Sequence, residues 1–251
     1  MNETPEQDLP PVGVLDRMIA LIHEPAILFR QMARVKPSPR NWVVPPLAAF
    51  LVAILTMAVL FRRPDVAEDI KRMQRLRLYQ QVEAGELTAA QLSDALRVVE
   101  ERGNILALIP QAIVLPLYMI ATVAWWALTI WIVADLLGGR GLDYYRALEL
   151  SGLVVTIDIP KYLVFAIAST WLGRIAVPNA AILISQFDPT KKLHLLIGSL
   201  DPFNFWKIVL LGLGVASCTG VSRLKSIACL AGIWLLLNLA LVALGLGELA
   251  Q

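Results

Sequence analysis

The sequence predicts an all-α, polytopic membrane protein with five transmembrane helices, N-terminal amphipathic interfacial helices and a polar helical hairpin between spans 1 and 2. Of its 251 residues, 57% are hydrophobic and only 17% are charged, whereas soluble domains carry about 25% charged residues. The shortage of charge falls in apolar segments that have at least the ~20 residues a helix needs to cross a bilayer core. The five predicted spans cover roughly residues 42–61, 112–137, 147–172, 202–220 and 226–247.

Composition and motifs predict a protein without enzymatic activity. The net charge of +2 is too small for strong nucleic-acid affinity. No HExxH, GxSxG or GxxxxGKS/T pattern occurs, so the signatures of zinc proteases, serine hydrolases and P-loop enzymes are missing. Cys218 and Cys229 lie in apolar segments, where free thiols usually pack in cores, and two thiols are too few for a tetrahedral metal site. We expect no catalytic residue, metal or cofactor; a membrane enzyme built from dispersed residues is the minor alternative.

Two features precede the first span. Residues 1–12 are polar and acidic, which predicts a disordered tail, and they lack the basic and apolar regions of a cleaved signal peptide. We therefore expect the first span to remain as an anchor in a membrane domain covering residues 13–251. Residues 13–35 place apolar side chains at helical spacing among several arginines, which predicts one or two amphipathic helices on the membrane surface, with a break at Pro25. A helix packed on soluble parts of the same chain is the alternative.

The stretch between the first two spans is strongly polar. Residues 62–103 contain eight Lys or Arg and eight Asp or Glu, so the stretch is neutral. It predicts an inserted polar helical hairpin, 64–103, whose first helix stops near Gly85 and whose second helix begins at a Thr88 capping box and ends at Gly103. Two prolines, 110 and 116, are expected to separate a short interfacial segment from the second span. The hairpin is either a solvated spacer or a module that docks a partner.

The last two spans predict a tight helical hairpin. Small residues recur at four-residue spacing on both, and such faces let helix backbones approach closely within a bilayer. The helix-packing residues expected on this basis are Gly212, Ala216, Gly220, Ala228 and Gly232. Residues 173–201, which precede this pair, are only moderately apolar and predict an interfacial helix without a sixth span.

The third span contains a polar break, which is the candidate intramembrane polar site. Asp158 and Lys161 are three residues apart, so they share a helix face and are expected to pair. Pro160 removes a backbone donor and frees a carbonyl one turn earlier. This geometry resembles the broken helices of transport sites, although a structural kink is the simpler interpretation. Asp135 and Glu149 lie near span ends and are expected to reach lipid headgroups.

Loop charges give the orientation only weakly. The Lys and Arg counts on the two sides are nearly equal, so the positive-inside rule does not decide between them. The shortest loops favour an N-terminus in the cytoplasm and a C-terminus outside, whereas the polar hairpin favours the opposite. We predict the first arrangement, because the basic residues of the hairpin are matched by acidic ones.

Short motifs follow one another in order through the spans. They are Ile22-His-Glu-Pro25-Ala-Ile-Leu-Phe29, Pro45-Pro46, Gly138-Gly139-x-Gly141 with Tyr145-Arg-Ala-Leu148, Pro160 within the third span, Leu200-Asp-Pro-Phe203-x-x-Trp206, and Gly220-Val-Ser-Arg223. In this order they resemble the Yip1 domain family, in its bacterial branch, over about residues 15–245.

The resemblance implies five membrane helices with a cytoplasmic N-terminus. Eukaryotic members are linked to vesicle traffic and contact prenylated Rab GTPases, but this chain lacks their DLYGP-type motif before the first span, so Rab binding is not expected. Some bacterial members are associated with ABC-type exporters. We therefore expect a non-enzymatic accessory or scaffold component of a transport or trafficking system in a bacterial inner membrane. Its expected partners are the lipid bilayer and other membrane proteins, such as an ABC-type exporter, or a second copy. The alternative is a transporter or channel-like protein using the broken third span.

Overall fold

A computed structural model describes the backbone of residues 13–139, 141–184 and 191–244, and the side chains of these residues except 101–112. The predicted tail, 1–12, lies outside the described residues. Helices form nearly all of the described chain, and it contains no strand. Ten α-helices follow one another: α1 Val14–His23, α2 Pro25–Met32, α3 Arg40–Leu60, α4 Pro64–Glu83, α5 Ala89–Leu136, α6 Tyr144–Val154, α7 Asp158–Leu172, α8 Lys192–Ser199, α9 Pro202–Thr219 and α10 Arg223–Ala243.

The predicted fold class is confirmed. Within the described residues, five helical segments are long and apolar enough to cross a membrane: Arg40–Leu60, Ile113–Leu136, Tyr144–Leu172, Pro202–Thr219 and Arg223–Ala243. Exposed aromatic residues lie near both ends of the third segment, Tyr145 at its start and Trp171 at its end. Exposed aromatic residues of this kind are typical of the interfacial ends of a membrane helix.

The second span corrects one part of the prediction. Helix α5 runs unbroken for 48 residues, about 72 Å, so the second arm of the polar hairpin and the membrane span are one helix. The predicted helix end at Gly103 and the separate segment before the span are wrong. A single glycine costs a helix only about 1 kcal/mol relative to alanine. Prolines inside membrane helices are tolerated, because small local adjustments satisfy the backbone groups that they free.

The described chain divides into two compact units. The first contains residues 13–49, 119–160 and 179–244. Its core joins the N-terminal helices to the membrane helices: Met18 and Leu21 of α1 and Phe29 of α2 are buried in the same apolar cluster as Leu150 of α6 and Leu211 of α9. Thus α1 and α2 are present, broken at Pro25 as predicted, and each packs one apolar face on membrane helices of its own chain.

Two glycines in the first unit mark places where helices nearly touch. A Cβ atom at Gly152 would lie 2.3 Å from Cα of Trp42, which brings the starts of the first and third spans together. A Cβ atom at Gly212 would lie 2.9 Å from both Cα and N of Ile227, in the following helix. Since backbone atoms cannot move aside as a flexible side chain can, neither position has room for a larger residue.

The other small residues of the last two spans are placed differently from the prediction. Ala216 is buried. Gly220 instead ends α9 in a left-handed conformation with φ of 74°, which glycine adopts without strain. Ala228 and Gly232 are exposed on α10, and no atom lies within 4 Å of a Cβ built on Gly232. The face of α10 that meets α9 therefore carries Ile227, and the alanine–glycine stripe faces outward.

The second unit contains residues 50–118 and 161–178. Leu60, Val66 and Phe165 form its buried core. The N–H of Ile175 donates to the Asp69 carboxylate at 2.9 Å, so a side chain of α4 fixes the loop after the third span.

An exposed ion pair begins α4 in this unit. The Arg63 guanidinium donates to Asp65 and lowers the pKa of that carboxyl to about 2. Because the folded pKa lies below the unfolded one, the contribution of this pair to stability is full above about pH 4 and is lost as the pH falls towards 2.

The segment before the fourth span contains no sixth crossing within its described part. Its helix α8 has eight residues, a length of about 12 Å. This is too short to cross a bilayer core. A 3₁₀ turn, Ala180–Leu183, precedes it in the first unit, and the N–H of Ala180 donates to the carbonyl of Leu200 at 2.9 Å.

The glycine geometry predicts opposite effects for one substitution at two positions. We expect Gly212→Ala to destabilise the protein by about 1–3 kcal/mol, because the new methyl overlaps the backbone at Ile227. Gly232→Ala, the matched control, meets open space and should stabilise by about 0.5–1 kcal/mol through reduced backbone entropy. Unfolding of both variants in mixed micelles by increasing sodium dodecyl sulfate measures the difference. Equal effects at the two positions would contradict the packing described.

Candidate functional site

The third span is broken by one 3₁₀ turn, Val155–Ile157, that joins α6 to α7. The N–H of Asp158 donates to the carbonyl of Val155, the closer spacing typical of a 3₁₀ turn. Pro160 lies just beyond and has no N–H for the carbonyl of Thr156, one helical turn earlier. The predicted break is therefore a local tightening of the helix, and the chain continues as helix through Leu172.

Asp158 forms an ion pair with a residue that sequence reasoning missed. Nζ of Lys207, on α9, lies 2.9 Å from Oδ1 of Asp158, and both side chains are largely buried, at 13% and 14% exposure. The expected partner was Lys161; it is partly buried one turn further along the helix, in the second unit. A lone lysine inside a predicted apolar span is a signal of an intramembrane polar site. This signal was available for Lys207 in the sequence but was not used.

A buried hydroxyl lies close to this pair in sequence. Thr156, in the 3₁₀ turn, is 3% exposed, and its Oγ1 has no hydrogen-bond partner among the described residues. An unsatisfied buried hydroxyl costs about 1–3 kcal/mol. The break thus combines one ion pair with one unsatisfied hydroxyl in the middle of a membrane helix.

A second polar cluster lies at the start of the third span and is centred on a fully buried carboxylate. Glu149 has 0% exposure. Its carboxylate accepts hydrogen bonds from the Asn41 amide, the N–H of Ser38 and the Arg146 guanidinium. Arg17, on α1, lies 3.5 Å from it. The prediction that Glu149 reaches lipid headgroups is wrong, because these donors hold the carboxylate inside the first unit.

Arg146 extends this cluster to the chain between α2 and α3. It is only 6% exposed, and its guanidinium donates both to Glu149 and to the carbonyl of Val35. The i,i+3 spacing of Arg146 and Glu149 is typical of a helical ion pair and was the available sequence signal. The cluster ties α1, the connector after α2 and the start of α3 to the third span.

Neither cluster, as far as the structure describes it, groups the side chains that a metal site needs. Across the part of the chain that the structure describes, no three His, Cys, Asp or Glu residues are grouped so that they could hold a metal ion. The Glu149 carboxylate is engaged by four donor groups and is closed to solvent. Its arrangement is suited to holding helices together.

The polar hairpin presents the third candidate, an apolar stripe on α4. Eight of the 20 residues of α4 are charged, yet Met73, Leu76 and Tyr79 are between 39% and 52% exposed. We call these three residues the hairpin stripe. They follow at three-residue spacing, so they share one broad helix face.

Ion pairs hold the two arms of the hairpin together. Arg75 on α4 binds both Glu68 and Glu100, and Lys71 lies 3.5 Å from Glu100, which belongs to α5. The Arg75 guanidinium holds the pKa of the Glu100 carboxyl below its usual range. At the turn, the Thr88 hydroxyl and the Gln91 amide form the predicted capping box. Charged side chains therefore link the two arms of the hairpin, and the hairpin stripe remains exposed.

Five membrane-length helices with a packed N-terminal segment define an integral membrane protein of a polytopic class. A family model described as Yip1 domain matches residues 19–244. The match covers nearly the whole chain, so this protein belongs to the Yip1 domain family. The comparisons with curated proteins and with solved structures found no match.

The buried carboxylate predicts a large and non-additive stability effect. Glu149→Leu should destabilise by about 3–5 kcal/mol, because it leaves the Arg146 guanidinium buried without its partner. Arg146→Met should cost a similar amount, and the double variant should cost less than the sum of the two. Thermal unfolding in detergent measures the stability of the two single variants and the double variant. The exposed Glu86→Leu is the matched control. Additive single effects would show that the two side chains do not interact.

Proposed function

We propose that this protein is a non-enzymatic accessory or scaffold component of a membrane transport or trafficking system, and that it docks a partner through the hairpin stripe. The observation that carries this proposal is the exposure of Met73, Leu76 and Tyr79 on a highly charged helix. A helix with eight charges in 20 residues is too polar for the hydrocarbon core. The stripe is therefore not part of a membrane span, and we assign a protein surface as the chemistry that covers it.

The geometry of the hairpin favours docking over a spacer role. The Arg75 and Glu100 ion pair links the two arms, so the stripe lies on an element whose two helices contact each other. Apolar and aromatic anchors surrounded by charged residues resemble the centre and rim of protein interfaces. A solvated spacer has no need to expose three large apolar side chains on one face.

The partner class proposed is another integral membrane protein. Among Yip1-like proteins of bacteria, the resemblance suggests an ABC-type exporter, with self-association as the other arrangement. We place the protein in a bacterial inner membrane with its N-terminus in the cytoplasm. In this arrangement the hairpin follows the first crossing and so faces the outer side, where the extracytoplasmic part of a partner lies.

The docking proposal predicts that polar substitution of the stripe releases a partner without unfolding the protein. We expect Met73→Ser, Leu76→Ser and Tyr79→Ser together to reduce co-purified membrane protein at least tenfold. The measurement is affinity purification in native lipid with quantitative mass spectrometry, and equal thermal stability confirms the fold. The matched control changes three exposed polar residues of the same helix to serine, Gln80, Gln81 and Glu83. It should retain the partner. Reproducible purification of the wild type as a lone monomer would overturn the proposal.

A second candidate function rests on the polar break in the third span. Asp158 and the unsatisfied Thr156 hydroxyl lie in the middle of the third span, and Lys207, in the second turn of α9, pairs with Asp158. Such groups frequently mark the path of an ion or a polar substrate. The hypothesis of a transporter or channel-like protein requires that these groups change partners during transport.

This candidate predicts that the ion pair is needed for flux. Asp158→Asn and Lys207→Met should each reduce proton flux into proteoliposomes at least tenfold, as read by a trapped pH-sensitive dye. The exposed Lys192→Met is the matched control and should leave flux unchanged. Flux that is absent in the wild type, or unchanged in both variants, counts against proton conduction through the break.

A further inference from the structure

The outer face of α1 carries a second apolar stripe. Met18 and Leu21 point into the core, whereas Leu15, Ile19 and Ile22 are between 39% and 64% exposed. These three follow the i, i+4, i+7 spacing of one helix face. We call them the α1 stripe. Asp16 and His23 are exposed on the side next to it, so the helix has an inner apolar face, an outer apolar face and a polar edge.

The position of α1 is fixed at the ends of membrane helices. Arg17 pairs with Glu149 in the second turn of the third span, and Met18 and Leu21 belong to the core cluster. Exposed apolar residues also begin the first span, at Val43 and Leu47. The same unit thus exposes apolar side chains both on α1 and at the start of a membrane span.

Four cations lie in the adjoining chain with no acidic residue among them. Arg30, Arg34, Lys36 and Arg40 are exposed, and residues 25–40 contain no Asp or Glu. Within the described chain, none of the four forms an ion pair or side-chain hydrogen bond. We call them the basic cluster. Unpaired cations at a membrane boundary attract anionic headgroups, each with a free energy of about 1 kcal/mol.

We propose that the α1 stripe and the basic cluster together form a binding site for anionic phospholipids in the leaflet on the N-terminal side. The stripe inserts among the glycerol and upper acyl groups, and the cluster binds the headgroup phosphates. Amphipathic helices with apolar insertion and cationic flanks bind membranes in this way. The inference goes beyond the proposed function, because it concerns lipid, and it rests on different residues.

The basic cluster is tested by lipid selectivity. The full chain is reconstituted in phosphatidylcholine bilayers that contain trace spin-labelled phosphatidylglycerol or phosphatidylcholine, and the motionally restricted fraction is measured. The wild type should prefer phosphatidylglycerol by at least about threefold, and the preference should fall at 1 M salt, where the Debye length is about 3 Å. A variant with all four cations changed to glutamine should lose it.

Controls separate this site from other sources of selectivity. The matched variant Arg77→Gln with Arg97→Gln removes cations from the polar hairpin and should keep the preference. Soluble glycerol 3-phosphate should not compete, because it lacks the acyl chains that the stripe contacts. A preference that survives in the four-fold variant, falls equally in the hairpin control, or is abolished by glycerol 3-phosphate overturns the proposal.

The α1 stripe is tested by depth measurement. In a background with Cys218→Ala and Cys229→Ala, a nitroxide is attached at Ile19→Cys or, as a control, at the exposed Glu86→Cys in the turn of the polar hairpin. The label at 19 should collide more with oxygen than with a water-soluble nickel complex, and the label at 86 should show the reverse. Equal water exposure at both positions would show that α1 does not insert.

Discussion

The buried carboxylate of Glu149 is the interaction on which the rest of the structure depends. It accepts bonds from Ser38 in the connector before the first span, from Asn41 in the first turn of that span and from Arg146 on its own helix. A carboxylate removed from water is very costly unless it is paired and hydrogen-bonded. The energy of satisfying it therefore specifies where the N-terminal segment lies. Replacing it leaves buried cations, so the position is constrained in charge as well as in shape.

The membrane sets the second constraint, because helices in lipid must satisfy their own backbone groups. The third span meets this constraint with a 3₁₀ turn before Pro160, and the ion pair of Asp158 with Lys207 lies next to that turn. At Gly152 and Gly212, close backbone contact replaces side-chain packing. These features explain why an apolar chain with few charges still has a defined arrangement of helices.

Sequence predicted the helical class, the five spans and the capped hairpin, because length, hydropathy and capping are local properties. It did not predict that α5 continues through Gly103, since local helix breakers are overridden when the helix gains more by continuing. The partner of Asp158 was missed because it lies 49 residues away, on another helix. Glu149 was misplaced for a related reason: apart from Arg146, its donors Ser38 and Asn41 come from a segment more than 100 residues away in sequence. Within the first unit, Ala228 and Gly232 face outward. This could not be predicted without knowing which face of α10 packs on α9.

Hydrogen–deuterium exchange of residues 14–39 in the reconstituted protein tests most directly whether Glu149 anchors the N-terminal segment. In the wild type, the backbone amides of α1 and α2 should exchange slowly, like those of the membrane helices that they contact. In Glu149→Leu, protection should be lost selectively over residues 14–39, while α9 and α10 stay protected. Fast exchange of α1 and α2 in the wild type, or a loss spread evenly over all helices of the variant, would contradict the account.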